Sequence, residues 1–329
     1  MRFAVDGWDP SYGTSLEVED SLDESTARVK VSVESPAKRW APIPPSSVET
    51  PQAMVFVDGV RRIEARIWID EVDVDPPSPP TEASAALCAS YAAGSICCCK
   101  DGAHLLTADR RRGLFTLATH AADIETSAGR YEAFATVANE ARGLGPTLSA
   151  ALQSQLAELE LVAAVQARAA LASHGIDDRR DLLVVDGPVR GRAHLPRALG
   201  FIKSHQKAYL EGNLHGLVGR LSAGQRTPVF LLGTSWDRYS WYLRLPCLPG
   251  QPWAGVVRIE CAANLATNEV VGLANVSQAV LPRFASIEYK DSRAPQNLYP
   301  IAGLERELRR RLGSSTLLYR ALRRAAVDG

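Results

Sequence analysis

The residues best placed to do chemistry in this chain are two aspartates. Asp58 closes the run Met54-Val-Phe-Val, Asp186 closes Leu182-Leu-Val-Val, and each is followed by glycine. An acid at the end of an apolar strand leaves the core while the sheet fixes its backbone, and glycine lets the chain turn without a Cβ clash. Two such strands side by side bring the carboxylates together. Like charges at close range repel, so the pair ionises best around a divalent cation. Oxygen donors without a histidine partner favour magnesium or manganese. Val-Asp-Gly is also an ordinary turn, and it recurs at Val5-Asp6-Gly7 and Val327-Asp328-Gly329. Spacing alone leaves that reading open.

A third acid would complete a site for one or two cations. The apolar stripe Leu148, Leu152, Leu156, Leu159 and Ala163 marks a helix after Gly145-Pro146 that runs to Gly175 and carries Glu158 and Glu160. At roughly 100° per residue, Glu160 lies about 80° from the stripe's centre and Glu158 about 120° away on the other side. Glu160 therefore edges the buried face and Glu158 points more to solvent; a solvated helix glutamate is the alternative for either. Two strand acids and a helix acid around divalent ions suit phosphodiester hydrolysis. Other chemistries lack their residues. Gly219 to Arg226 mimics the glycine spacing of a P-loop, but Gln225 stands where its lysine must be. The six histidines never fall at zinc spacing, and no GxGxxG or GxSxG occurs.

The 329 residues include 37 Lys plus Arg and 37 Asp plus Glu, so no global basic coat exists for nucleic acid. No apolar run approaches the roughly 18 residues a membrane span needs, and Met1 to Asp6 has no long apolar run, so no signal peptide is expected. The six cysteines follow neither a knuckle nor a small disulfide framework, which points to buried reduced thiols and a cytoplasmic protein. Residues 1–50, acidic and then Pro-rich, form an N-terminal extension with a strand near Ala27 to Val33. A hairpin is expected from Met54 to Asp58, a turn at Gly59, and Arg62 to Asp70. Pro76 to Pro80 form a break. Ala85 to Cys99 is a third strand with a turn at Lys100-Asp101-Gly102. Helices are expected over 131–143 and 195–211, strands at Asp181 to Asp186, Thr227 to Gly233 and Val256 to Glu260, and a last helix from Gly303 to Leu312 before an Arg-rich tail, 314–329. Hairpin strands, then helix, strand, helix, indicate an α/β core with a mixed sheet.

In order and approximate spacing, Val55-Phe-Val-Asp58-Gly59, Leu159-Glu160, Leu183-Val-Val-Asp186-Gly187-Pro188 and Gly200-Phe-Ile-Lys203-Ser204 resemble the NurA nuclease family. Val257-Arg-Ile-Glu260 and Asn297-Leu-Tyr299-Pro300 extend the resemblance over about residues 52–312. It implies an RNase H-like mixed sheet flanked by helices over 51–313 and a homodimer. It also implies a manganese- or magnesium-dependent deoxyribonuclease that processes DNA ends in double-strand break repair beside a HerA-like hexameric ATPase. Asp58, Glu160 and Asp186 become metal ligands, Lys203 a phosphate contact, and Tyr299 part of the C-terminal active-site motif. The family motif places a histidine in the helix after Tyr-Pro. Here that helix has none; Glu307, Glu305 and Asp291 are the oxygen-bearing substitutes. A non-catalytic member that binds DNA or the motor is the alternative reading. Arg190, Arg192, Arg197, Lys203 and Lys207, with the arginines of the tail, suit a phosphate path, and Trp236, Tyr239, Trp241 and Trp253 suit core packing.

Overall fold

In the computed structural model the described residues are 23–24, 27–70, 83–138, 141, 143–205, 207–248, 250 and 252–328. The Pro76 to Pro80 break and the acidic start of the N-terminal extension lie outside them. The chain is mixed α/β, with a ten-stranded mixed sheet and five helices among the described residues. The strands are β1 (Asp23–Glu24), β2 (Arg28–Lys30), β3 (Ala53–Asp70), β4 (Ala83–Cys99), β5 (Gly102–Thr116) and β6 (Glu132–Ala135), then β7 (Asp181–Asp186), β8 (Ala198–Ile202), β9 (Lys207–Ala208), β10 (Phe230–Gly233), β11 (Asp237–Arg244) and β12 (Val256–Ala262). The helices are α1 (Leu144–Ser173), α2 (Gly212–Gly219), α3 (Thr267–Val280), α4 (Tyr299–Leu312) and α5 (Ser315–Asp328). The large sheet runs β2-β10-β11-β12-β8-β7-β3-β4-β5-β6, and β1 pairs with β9 apart from it.

The chain divides into two compact units. The first holds Met1–Val57, Ile96–His104 and Arg168–Gly303. Its centre is β7, whose residues 181–185 are all buried, flanked in parallel by the start of β3 and by β8. Burial on both faces explains the unbroken aliphatic run, since a central parallel strand has no wet side to alternate with. One face packs Phe56, Val184, Phe201 and Ile259 against Val270, Leu273 and Ala274 of α3 and Leu298 and Ile301. The opposite core gathers Phe230, Tyr242 and Trp253 around Leu217 and Val218 of α2. The second unit holds Asp58–Ser95, Leu105–Ala167 and Leu304–Gly329. There the leucine stripe of α1, Leu148 to Leu159, packs on Leu87, Tyr91 and Phe115, as its spacing requires.

Four expected elements are different. The hairpin over 54–70 is one strand of 18 residues, because Gly59 continues the strand instead of turning it. A Cβ at Gly59 would come within 2.5 Å of Glu160 Oε1 and 2.6 Å of Leu156 Cδ1. The glycine serves close packing of α1, not chain reversal. The helix expected over 131–143 is β6, which extends β5 in parallel from Gly113↔Glu132. The helix expected over 195–211 is two short strands, β8, paired with β7 and β12, and β9, paired with β1, and this backbone pairing outweighs the apolar spacing. The tail expected after residue 313 is α5, with Leu318, Ala321 and Leu322 buried. Helices α2 and α3 and strands β5 and β11 are elements that the sequence pattern does not announce. Among the described residues, no helix is long and apolar enough to cross a membrane. The six cysteines are free thiols; Cys88, Cys97 and Cys261 are buried, the others half-buried. Burial pushes Cys88 and Cys97 up to about 12 and Cys98 up to about 11.

Candidate metal centre

The parallel ladder between β3 and β7 runs Ala53↔Asp181 to Val57↔Val185. The next residue on each strand is a carboxylate, Asp58 on β3 and Asp186 on β7. Asp186 ends its strand, as the sequence indicated, whereas Asp58 lies inside β3 and is 7% exposed. One of its oxygens, Oδ1, accepts the Gly59 N–H at 2.7 Å.

In the first unit, Asp186 heads a chain of polar contacts. Lys203 Nζ lies 2.6 Å from Asp186 Oδ2 and donates to Asn297 Oδ1 at 3.0 Å. Asn297 Nδ2 in turn donates to Asp291 Oδ2 at 2.8 Å. Asn297 is wholly buried, so its amide is committed to bridging an ammonium and a carboxylate. Of Asp291, Glu305 and Glu307, Asp291 is the one these contacts link to Asp186. Glu305 pairs with Arg309, and Glu307 with Arg310 and Arg311. Hydrogen bonds from Arg310 and then Arg311 hold the Glu307 carboxyl down to about 2. Tyr299, the first residue of α4, is 41% exposed.

The turn after Asp186 is fixed from below. Gly187 has φ 96°, the left-handed region that glycine enters without penalty. The Val189 N–H donates to Oε1 of Glu260, wholly buried on β12, at 2.9 Å. A Cβ at Gly200 would meet Val189 N at 2.7 Å, Glu260 Cγ at 2.8 Å and Gly187 O at 2.8 Å, so only glycine lets β8 pass there. Glu260 also receives Arg238 Nε at 3.0 Å and Arg258 Nη1 at 2.8 Å on Oε2. The sequence pattern gives neither Glu260, in the Val257 to Glu260 stretch, nor Asn297 a role. Their signal is residue type, an acid inside an apolar strand and an amide two residues before Tyr299, with nothing local to say what each would hold.

In the second unit, Glu160 is 7% exposed on α1 with its carboxylate over Gly59, while Glu158 is exposed and accepts from Gln155. The helical geometry read from the leucine stripe is therefore right about which glutamate is buried. Other expectations are redistributed. Arg197 donates to the Asp181 carbonyl and Arg192 to that of Pro188, so neither lies on a solvated helix face. Trp241 and Trp253 are buried in the cores, Tyr239 packs against one of them, and Trp236 carries the Arg238 guanidinium 4.6 Å above its ring.

Among the described residues, no three His, Cys, Asp or Glu side chains stand together at metal-holding geometry. Lys203 Nζ sits on Asp186 Oδ2, and Asp58 Oδ1 accepts the Gly59 N–H. The donor chemistry, carboxylates with neither imidazole nor thiolate, fits a hard divalent cation, and the ammonium marks a point where positive charge is held.

No family model matches the sequence, and no curated protein matches it. Among solved structures, the chain is similar to the NurA nuclease from Sulfolobus solfataricus. Identity is 9%, over 83% of this chain and 84% of that one, with a TM-score of 0.38. A likeness at that level assigns neither family nor activity.

Proposed function

We propose that this protein is a divalent-cation-dependent deoxyribonuclease of the NurA type, with Asp58, Glu160 and Asp186 as the ligands of manganese or magnesium. The observation that carries the reading is the in-register ladder whose two strands continue into Asp58 and Asp186. Lys203 on Asp186 supports it. A bound cation supplies a water of lowered pKa and neutralises charge on the phosphodiester. The rest falls to the chain itself. Lys203, poised between Asp186 and Asn297, moves from the carboxylate to a phosphate oxygen and offsets the charge that develops there. Asn297 keeps its ammonium within reach of both. Tyr299, half-exposed at the start of α4, is the aromatic this reading assigns to contact with DNA. The glycine and Glu260 scaffold holds Asp186 at a constant position, which in-line attack requires.

The same reading makes the protein a homodimer acting at DNA ends, in double-strand break repair. It extends to a separate HerA-like ATPase as motor, since Gln225 stands where the P-loop-like spacing Gly219 to Gly224 needs its lysine. Manganese-dependent cleavage of linear duplex or single-stranded DNA, lost in both Asp58→Ala and Asp186→Ala, is the expected result. A second reading, a DNA- or motor-binding partner without cleavage, is favoured by the helix α4, where Glu305 and Glu307 replace histidine and are paired with arginines. DNA binding without cleavage in the wild-type chain, unaltered by either substitution, decides for it.

A further inference from the structure

Two arginines stand almost wholly buried on neighbouring strands of the first unit with one carboxylate between them. The side chains of Arg238 on β11 and Arg258 on β12 are 6% and 7% exposed, and both bond Oε2 of Glu260. The other oxygen of Glu260 is taken by the Val189 N–H. Two guanidinium charges thus face a single carboxylate. Buried charge is stable when paired and hydrogen-bonded, so the cluster has one positive charge to spare for an anion.

Arg258 also has donors to spare. Its Nη1 serves Glu260 and Ser240 Oγ, at 2.8 and 3.2 Å, while Nε and Nη2 have no hydrogen-bond partner among the described residues. Its guanidinium carbon lies 5.1 Å from the centre of the Tyr209 ring. Arg238 Nη1 donates to Thr234 Oγ1 at 3.1 Å. Tyr209 and Thr234 line one cavity of about 470 Å³, together with Arg28, Lys207 and Ser235. Arg28 and Lys207 add two exposed cations to the lining, the first of them 4.0 Å from the exposed Asp237.

We propose that this cavity binds the phosphate group of a nucleotide. Arg258 and Arg238 supply the buried charge behind the wall, Arg28 and Lys207 close on the anion from the lining, and Thr234 and Ser235 offer hydroxyl donors. Forked guanidinium donors match phosphate oxygens, and the volume falls within the roughly 300–1,000 Å³ of small-molecule sites, beyond the needs of free phosphate. Binding here requires none of the acids assigned to the cation, so it stands or falls independently of the nuclease reading. The phosphate comes either from a free mononucleotide or from the backbone of a strand.

Isothermal titration calorimetry of the full chain in excess EDTA tests this with three probes: 5′-thymidine monophosphate, thymidine, and a thymidine oligomer without terminal phosphates. Saturable binding of a phosphate-bearing probe is expected, none of thymidine, and a loss of at least fivefold in both Arg28→Ala and Lys207→Ala, whose exposed side chains are dispensable for folding. Binding of the monophosphate alone identifies a free nucleotide or strand end as the source; binding of the oligomer identifies the backbone. Failure of both phosphate-bearing probes to bind overturns the proposal, as does thymidine binding as tightly as its phosphate, or binding unchanged in Arg28→Ala and Lys207→Ala. Because the chelator removes divalent cations, such a failure leaves the cleavage reading untouched.

Discussion

Replacing Glu260 by glutamine tests how the turn after Asp186 is held. The substitution keeps shape and one acceptor for the Val189 N–H but removes the only charge shared by Arg238 and Arg258, whose side chains are 6% and 7% exposed. It also points an amide N–H₂ at one of two guanidiniums that need an acceptor. Breaking a buried ion pair from one side costs about 3–5 kcal/mol, because the remaining charge is desolvated without compensation. The cost is near the upper end here, since two cations lose the same partner. Urea unfolding followed by tryptophan fluorescence reads it directly, with Trp241 on the adjoining strand wholly buried as the reporter. The midpoint falls by that loss divided by the slope, and amide exchange at Val189 quickens. Removing Arg238 as well, as Arg238→Met, recovers part of the loss, since one stranded charge goes with it. A change below about 1 kcal/mol in Glu260→Gln, with Val189 exchange unaltered, refutes the argument that a charged network clamps this turn.

Gly59→Ala forces a methyl within 2.5 Å of Glu160 Oε1 and 2.6 Å of Leu156 Cδ1, which costs about 1–3 kcal/mol of overpacking. A drop in thermal midpoint together with weaker manganese binding is expected, and an unchanged melt contradicts the close approach. His205 is buried, with Nε2 donating to the Val256 carbonyl, and burial lowers it from 6.5 to about 4. A depressed histidine is neutral in the folded protein while the unfolded chain takes up a proton. The stability it confers is present above pH 6.5 and is lost as pH falls toward 4, by about 3 kcal/mol in total. His205→Phe flattens the stability profile between pH 6.5 and 4 in urea titrations; an equally steep profile in the variant rules His205 out as the cause.

The sequence made some parts of this molecule legible for clear reasons. Strand β7 stood out because four consecutive aliphatics bounded by turn residues suit only a buried strand, and the stripe of α1 placed Glu160 correctly inward. Gly59 misled because glycine marks both turns and close approaches, and only the position of Leu156, almost a hundred residues on, separates the two. The stretch 195–211 misled because its apolar residues fall at near-helical intervals, while its structure is set by ladders to β7, β12 and β1, partners that local spacing does not reveal. The four-residue β6 is too short for a period-two signal, and it exists through its pairing with β5. Asp58 and Asp186 were legible as residue types, although only Asp186 ends its strand. The polar chain from Asp186 through Lys203 and Asn297 to Asp291 was not, since its members lie up to about a hundred positions apart.

The central claim is that Asp58 and Asp186, with Glu160, hold a divalent cation. Counting bound manganese by electron paramagnetic resonance tests it without reference to any substrate. The account predicts one or two ions on the wild-type chain at saturation and none at that site in Asp58→Asn or Asp186→Asn variants whose melts show them folded. A wild-type chain that leaves all manganese free, or variants that bind as many ions as tightly, contradicts it.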